Sequence, residues 1–429
     1  MGDSLGRVQG WRGRWGEGAQ AQGDLLGSLF STRLTGEVPR VDFLWSVVAV
    51  LFKSMHWSGR CLSFAALGMC CSAQPLLAQQ PEPPNPVLSQ RPAAKPVPVP
   101  GAIEHAGRMQ LDVVVTDLKG NPALGLEPWD FALMDNNETR RILTFHAFNG
   151  TTVKPEPPVE VILLLDTVNL PFQQVAFVRQ QVEEFLRENG GRLKQPVEIM
   201  LLTDGGLRVQ PRSSLDGNAL MGIVEGIKGS VSSINPAMGG EGLLERYQLS
   251  LRQLAAIAEN RASQPGRKLL IWVGPGWPLL DAPSQSYSEK EKRRTFDGIV
   301  ELSTKLREAR MPVYSVSPQD AAVDSGLRSE VYREFLKGVK SPRQADSGNL
   351  ALKVLVTQSG GLILGPGNDL AAQIDRCVGD ANGFYRISFD PAHATAVNEY
   401  HELKVVVNKP DLVVRTNSGY YSEGAPGLP

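Results

Sequence analysis

The chain lacks an excess of charge of either sign. Its 429 residues include 44 Lys and Arg against 45 Asp and Glu, for a formal net charge of −1. Nucleic-acid-binding proteins normally carry a basic excess, and no basic stripe with interleaved aromatic residues is present. A nucleic-acid partner is therefore not expected.

The hydrophobic share of 42% is typical of a soluble globular protein that buries a core, and the length exceeds one typical domain.

Cysteine is scarce and unevenly distributed. Three of the four cysteines, Cys61, Cys70 and Cys71, lie in one N-terminal apolar stretch. If that stretch is removed, only Cys377 remains, so no intramolecular disulfide can form. Neither a CxxC pair nor a zinc-ligand spacing exists. The better interpretation of Cys377 is a buried structural thiol, with a reactive thiol as the alternative.

Common catalytic signatures are also missing. The histidines are scattered without an HExxH pattern, and there is no GxSxG serine and no GxxxxGK[ST] loop. Gly365-Pro366-Gly367 therefore indicates a turn rather than a phosphate cradle. The sequence favours a protein that is not an enzyme. A hydrolase that uses Asp166 and Asp204 is the alternative, but no third group supports it.

The N-terminal part contains a predicted export signal. Cys61–Ala78 is an apolar run with His56 and Arg60 ahead of it and a polar stretch behind it. This is the layout of a secretory signal that starts at Met55 and is cleaved near Ala78. Glycine and proline within the run disfavour the alternatives, a membrane anchor or a buried helix. We therefore expect a secreted protein, or one of the periplasm or cell envelope.

Shifts in composition and pattern divide the chain into segments. Prolines after Ala78 favour an extended linker, and two short strand-rich segments flank a longer α/β region. The predicted organisation is 1–54 unassigned and upstream of a start at Met55, 55–78 signal peptide, 79–107 proline-rich linker, 108–150 first half of a small β unit, 158–380 α/β domain, and 383–422 second half of the β unit.

The long central region alternates apolar runs with amphipathic helices. Val159–Leu165, Val197–Leu202 and Lys268–Val273 are continuous apolar runs, which predict buried strands. Helical segments between them indicate a doubly wound, mostly parallel sheet that is covered on both faces. Each flanking β segment is about 40 residues long, too short for independent stability. We therefore expect the two flanks to pack together as one small β unit.

The order of these elements resembles a von Willebrand factor A domain, which has a Rossmann-like fold. The flanking strings narrow the resemblance. They are LDVVVTDLKGNP and GLEPWDFALMDNNETRRILTF before the domain, and GFYRISFDP and YHELKVVVNKPDLVVRTNSGYY after it. These strings resemble the VWFA-related Acidobacterial domain family, a bacterial group. The resemblance extends from about Met109 to Ser422.

The resemblance implies a metal site, called MIDAS, at the carboxyl ends of the parallel strands. The family pattern there is Asp-x-Ser-x-Ser after the first strand, a later Thr, and an Asp after the KLLIWV-type strand. Oxygen ligands of this kind suit Mg²⁺. In this chain Asp166 matches, but Val168 and Leu170 occupy both serine positions. Asp166 is interpreted as a cap of the following helix.

The other two ligand positions are also altered. The loop where the Thr belongs contains Ser232 and Ser233 but no threonine, and Gly274-Pro275-Gly276 stands where an Asp-Gly pair is expected. The MIDAS is therefore predicted to be degenerate. No cofactor is expected, and Mg²⁺ at this degenerate site is the remaining alternative.

These features together predict an exported, non-enzymatic module for protein binding or adhesion, which acts through the crevice face of its A-type domain. A structural component of a cell-envelope complex is the main alternative. The partner would be a protein ligand or an envelope component, and the mature chain would have no membrane span. Trp277 could contact a ligand, although a packed aromatic is its better interpretation. The candidate ligand-face residues are Asp166, Thr167, Asn169, Ser232, Ser233 and Trp277.

Overall fold

The structure is a computed structural model that describes residues 108–227, 239–277, 287–318 and 333–422. The predicted signal peptide at 55–78, the linker at 79–107, and the candidates Ser232 and Ser233 lie outside these ranges. Among the helices within them, none is both long enough and apolar enough to cross a bilayer.

The described elements follow one another in a fixed order along the chain. They are β1 (Met109–Asp117), β2 (Phe131–Asp135), β3 (Glu138–Arg140), β4 (Thr144–Phe148), β5 (Glu160–Asp166), α1 (Phe172–Gly191), β6 (Arg192–Thr203), β7 (Gly206–Val209), β8 (Ser214–Asp216), α2 (Gly217–Glu225), α3 (Gly239–Ala262), β9 (Lys268–Val273), α4 (Glu289–Glu308), β10 (Val313–Val316), α5 (Leu352–Gln358), β11 (Ile363–Leu364), α6 (Leu370–Gly379), β12 (Phe384–Phe389), β13 (Tyr400–Val407), β14 (Leu412–Arg415) and β15 (Gly419–Tyr421).

The largest sheet has seven strands and is mostly parallel. Its order is β11-β10-β9-β5-β6-β7, and β8 also pairs with β6. Only β7 and β8 run antiparallel to their neighbour. All residues of β9 are buried, as are Val161–Asp166 of β5, because this part of the sheet is covered on both faces. The predicted α/β class with a mostly parallel sheet is confirmed.

Helices pack on both faces of this sheet, and alternate residues of β5 contact them. Val161, Leu163 and Leu165 belong to a core that includes side chains of α1, α2 and α6. Ile162 and Leu164 belong to a second core with side chains of α3, α4 and α5. This arrangement follows from the alternation of side chains along a strand. The sheet is therefore the middle layer of the α/β part.

Strands from both flanks share two further sheets, each of four strands. Their orders are β14-β1-β12-β4 and β15-β13-β2-β3, and all pairings are antiparallel. Phe131, Phe145 and Tyr385 form an aromatic cluster with ring centroids 5.1–5.5 Å apart. Because these rings come from β2, β4 and β12, one apolar core joins segments from both ends of the α/β part.

Candidate functional site at the carboxyl edge of the sheet

Asp166 ends β5 in the middle of the large sheet. The next strand along the chain, β6, lies on one side of β5, and β9 lies on the other. In open α/β sheets such a reversal of strand order forms a crevice at the carboxyl ends, where ligands bind. The sequence places Asp166 at this point because the apolar run of β5 ends there. It is therefore the natural centre of a candidate site.

The Asp166 carboxylate accepts four hydrogen bonds. Oδ1 accepts from the backbone N–H of Val168 at 3.2 Å and of Asn169 at 3.0 Å. Oδ2 accepts from Nδ2 of Asn169 and from Nε1 of Trp272, each at 2.8 Å. A carboxylate offers about four acceptor positions. Neutral donors of the protein therefore occupy the acceptor capacity of this group.

Burial dominates the electrostatics of this carboxyl. Asp166 is fully buried, and desolvation raises its pKa above the usual value, although the hydrogen bonds from Asn169, Trp272 and Val168 act in the opposite direction. The geometry is that of a buried acid held by neutral groups, in which ionisation costs free energy.

Asn169 links this centre to helix α3. Its Nδ2 atom lies 3.1 Å from Oγ of the buried Ser250, as well as donating to Asp166. We call Asp166, Asn169, Ser250 and Trp272 the Asp166 shell. Thr167 does not join it, because its hydroxyl donates to the carbonyl of Leu202 at 2.6 Å.

The backbone conformation of Gly274 and its close approach to Asp166 both favour glycine at this position. Its φ is 149°, and an added Cβ would lie 2.8 Å from Cβ of Asp166. A side chain at this position would therefore collide with the Asp166 shell. This is the position at which the family pattern has an aspartate after the KLLIWV-type strand. The chain cannot place a carboxylate there without moving Asp166.

The residues around Asp166 do not fit a hard cation such as Mg²⁺. Val168 and Leu170 are buried apolar side chains, and the Trp272 indole N–H can only donate a hydrogen bond. A hard cation needs several oxygen ligands. Within the described ranges, no group of three or more His, Cys, Asp and Glu side chains is arranged to hold a metal.

One interpretation drawn from the sequence needs correction at this edge, and one of the ligand-face candidates is removed. Asp166 does not cap the following helix, because α1 begins at Phe172 after Pro171 and has no side-chain cap. Its carboxylate instead closes the turn before the helix. Trp277, a ligand-face candidate, is buried, donates to the carbonyl of Leu350 at 2.8 Å, and packs edge-on to Trp272. It is therefore a packed aromatic and cannot offer its ring to a partner.

Sequence reasoning missed Ser250 and Trp272. Ser250 lies in α3 and 81 positions from Asn169, so no local pattern connects them. Trp272 had one usable signal, since a buried indole N–H usually needs a hydrogen-bond acceptor.

Cys377 is buried as expected, and burial raises the pKa of its thiol.

A second buried polar cluster lies in the flanking sheets. Asp135 of β2 contacts Nδ1 of His401 at 3.0 Å and accepts from the Tyr420 hydroxyl at 2.8 Å. The His401 and Tyr420 rings stack with centroids 4.7 Å apart. All three side chains are buried. The cluster therefore joins β2, β13 and β15 and presents no exposed base for catalysis.

Comparison with known proteins leaves the family open. No family model matches the chain, and no curated protein matches it. The solved structure of the human COPII-coat protein Sec24c matches with a TM-score of 0.29 at 10% identity, over 72% of this chain and 48% of that one. The pilus adhesin SpaC from Lactobacillus rhamnosus GG, in an open conformation, matches with a TM-score of 0.33 at 11% identity, over 73% and 49%. The chain thus spans about half the length of each of these two proteins. At these low TM-scores, the similarity supports no conclusion about this chain.

We expect the melting temperature to be the same in EDTA and in millimolar Mg²⁺ or Mn²⁺, measured by calorimetry. A competent site would stabilise the fold by about 2.7 kcal/mol at a hundredfold excess of metal over its Kd, which raises Tm by several degrees. Asp166→Ala should leave this lack of response unchanged. The double variant Val168→Ser, Leu170→Ser should also stay unresponsive, because the other ligands are still missing. A Mg²⁺-dependent rise that Asp166→Ala removes would contradict this prediction.

Proposed function

We propose that the chain is an exported, non-enzymatic binding module, built on a doubly wound A-type domain related to the VWFA-related Acidobacterial family. Three features support the A-type assignment. They are the strand order of the large sheet, the helices on both of its faces, and an aspartate at the end of β5. The crevice edge at Asp166 would be the recognition face, because loops on a rigid sheet commonly carry recognition.

The observation that carries this proposal is an exposed aromatic residue beside the Asp166 shell. Phe172, the first residue of α1, is 56% exposed, although it follows the Asp166 turn by only a few residues. Exposed aromatic side chains are enriched at protein interfaces. The Asp166 shell fixes the turn that precedes Phe172. Phe172 therefore projects from a rigid part of the backbone, which lowers the entropic cost of binding a partner.

The state of Asp166 favours binding over catalysis. A general base or nucleophile needs a free acceptor or electron pair aimed at a substrate. The acceptors of Asp166 instead face four donors of the protein itself. Asp204 lies in the turn between β6 and β7, and a hydrolase would have to rely on that carboxylate without Asp166 as a partner.

The test is a pull-down from envelope extract with Phe172→Ser as the variant. Leu215→Ser is its matched control, because Leu215 is 55% exposed and lies on β8, opposite the amino-terminal part of β6. We expect Phe172→Ser to lose the captured protein and Leu215→Ser to retain it. Equal capture by wild type and both variants would contradict recognition through this edge.

A structural role in an envelope complex is the second candidate, and Trp129 favours it. This residue lies in a short turn of the β unit and is 74% exposed. If the β unit makes the main contact, Trp129→Ser should abolish capture while Phe172→Ser leaves it intact. The same pull-down therefore separates the two candidates.

Export can be tested independently of the partner. We expect the mature chain to begin near Gln79 and to lack Cys61, Cys70 and Cys71, because the apolar run that ends at Ala78 has the layout of a secretory signal. N-terminal sequencing of the protein from its native host measures this directly. A cytoplasmic protein that retains residues 55–78 would contradict it.

A further inference from the structure

Several arginines surround one carboxylate, whose side chain is only 9% exposed, at the amino ends of the strands of the large sheet. Asp112 of β1 accepts from Arg310 through Nε at 3.2 Å and Nη2 at 2.7 and 2.8 Å. It also accepts from Nε of Arg386 at 3.2 Å. Arg267, which directly precedes β9, has its Nε 3.9 Å from the same carboxylate. This edge is opposite the one that holds Asp166.

A small cavity opens beside these side chains. Its volume is about 20 Å³, more than the roughly 10–15 Å³ that one water needs. The polar and charged residues that line it include Gln110, Asp112, Arg267, Arg307, Arg310 and Asn417. Gln110 and Asp112 are two positions apart on β1, so both face the cavity from the same side of the strand.

The charges around this cavity do not balance. Three arginines line it against one aspartate, and the charge of Asp112 is already shared by Arg310 and by Arg386 outside the lining. In the part of the chain that the structure describes, the nearest carboxylate paired with Arg307 is that of Glu308, at 4.0 Å. The cavity therefore carries surplus positive charge in surroundings where charge is poorly screened.

Two donors at this place have no partner. Within the described ranges, Nε of Arg267 and Nε of Arg307 are buried and make no hydrogen bond. Arg267 is only 2% exposed. Its Nη1 donates to the carbonyl of Asp380 at 2.7 Å, and its guanidinium lies over the Phe384 ring. Neither contact supplies an anion, and the Asp112 carboxylate at 3.9 Å from Nε is too distant for a hydrogen bond. Buried donors without a hydrogen bond cost folding free energy.

We propose that this cavity is a binding site for a small tetrahedral oxyanion of the phosphate or sulfate class. Such an anion would accept from Arg267 and Arg307, and Gln110 and Asn417 could donate their amide N–H groups to it. Planar guanidinium groups suit phosphate and sulfate oxygens. The anion would join β1 of the flanking sheets to the segment before β9 and to the last turn of α4. It would therefore stabilise the contact between the β unit and the α/β part.

The test is the melting temperature of the full chain in phosphate and in chloride at equal ionic strength. We expect millimolar phosphate to raise Tm by about 3 °C, as a ligand at about tenfold excess over its Kd would. Sulfate should act in the same way. Acetate should give a smaller shift, because it offers two oxygens instead of four. Equal Tm in phosphate and chloride would overturn the proposal, and an acetate shift equal to the phosphate shift would overturn the tetrahedral assignment.

Two variants and one control sharpen this test. Arg307→Gln should weaken phosphate binding about tenfold or more, because it removes a charge-assisted contact. Arg293→Gln removes one charge from an exposed position of the same helix and should keep the full response. If Arg307→Gln and the control Arg293→Gln lose the phosphate response equally, the response is a general effect of net charge, and the proposed site is overturned.

The second variant, Gln110→Glu, places a carboxylate inside the cavity. It should raise Tm in chloride, because it neutralises the surplus charge, and it should remove the phosphate response. A Gln110→Glu protein that still gains stability from phosphate as wild type does would overturn the proposal, even if Arg307→Gln fails to fold.

Discussion

Removal of Phe384–Pro429 is expected to abolish cooperative folding of the chain. The deletion removes β12, which lies between β1 and β4, and β13, which lies between β2 and β15. The apolar faces of Leu111–Val115 and Ile142–Phe148 would lose their cover, and the remaining half of the β unit is too small to fold alone. The deleted chain should no longer unfold as a whole in one thermal transition, and light scattering should show aggregation.

The matched control is deletion of residues 423–429, which removes none of the described strands and should leave Tm unchanged. A soluble fragment of Val159–Val378 that unfolds cooperatively is compatible with the prediction, because this fragment contains the α/β part alone. A soluble Phe384–Pro429 deletion whose strand β1 resists hydrogen exchange would contradict it.

The sequence predicted the elements that burial defines most strongly. The continuous apolar runs of β5 and β9 have few interpretations other than buried strands, and they correspond to Glu160–Asp166 and Lys268–Val273. Polar segments were harder. β6 begins at Arg192, before its apolar run, and Ser214–Asp216 is a strand only because it pairs with that polar start. Backbone pairing by polar residues leaves no hydrophobic period to detect.

The candidate site was predictable in place but not in composition. The end of an apolar strand located Asp166, and the two apolar residues at the serine positions of the pattern that the chain resembles predicted that those metal ligands are missing. The groups that replace them come from β9 and α3, and only the folded chain brings Trp272 and Ser250 to Asp166. Tertiary contacts of this kind have no signature in local spacing, and for that reason Asp166 was interpreted as a helix cap.

Asp166→Ala is expected to lower the free energy of unfolding by about 3 kcal/mol, because it leaves several buried donors without an acceptor. A domain of this size should then lose about 6–12 °C in Tm. Trp272→Phe removes one donor and keeps the carboxylate, so its cost should be about 1–2 kcal/mol. Asp390→Ala is the control. Its side chain is 72% exposed, and its removal should change stability by less than about 0.5 kcal/mol.

The pH dependence of the stability that Asp166→Ala loses is a second test of the Asp166 shell. Burial raises the pKa of Asp166 in the folded protein, so the folded state holds this proton more tightly than the unfolded chain does. Stability from this group is therefore fully present below the unfolded carboxyl pKa and is lost as pH rises through the folded pKa. Alanine does not titrate, so the difference between wild type and Asp166→Ala should grow as pH is lowered through the raised pKa of the folded protein toward the unfolded carboxyl pKa. Denaturant unfolding of both proteins at each pH measures it. An Asp166→Ala protein as stable as wild type across this range would show that the Asp166 shell does not hold the crevice edge together.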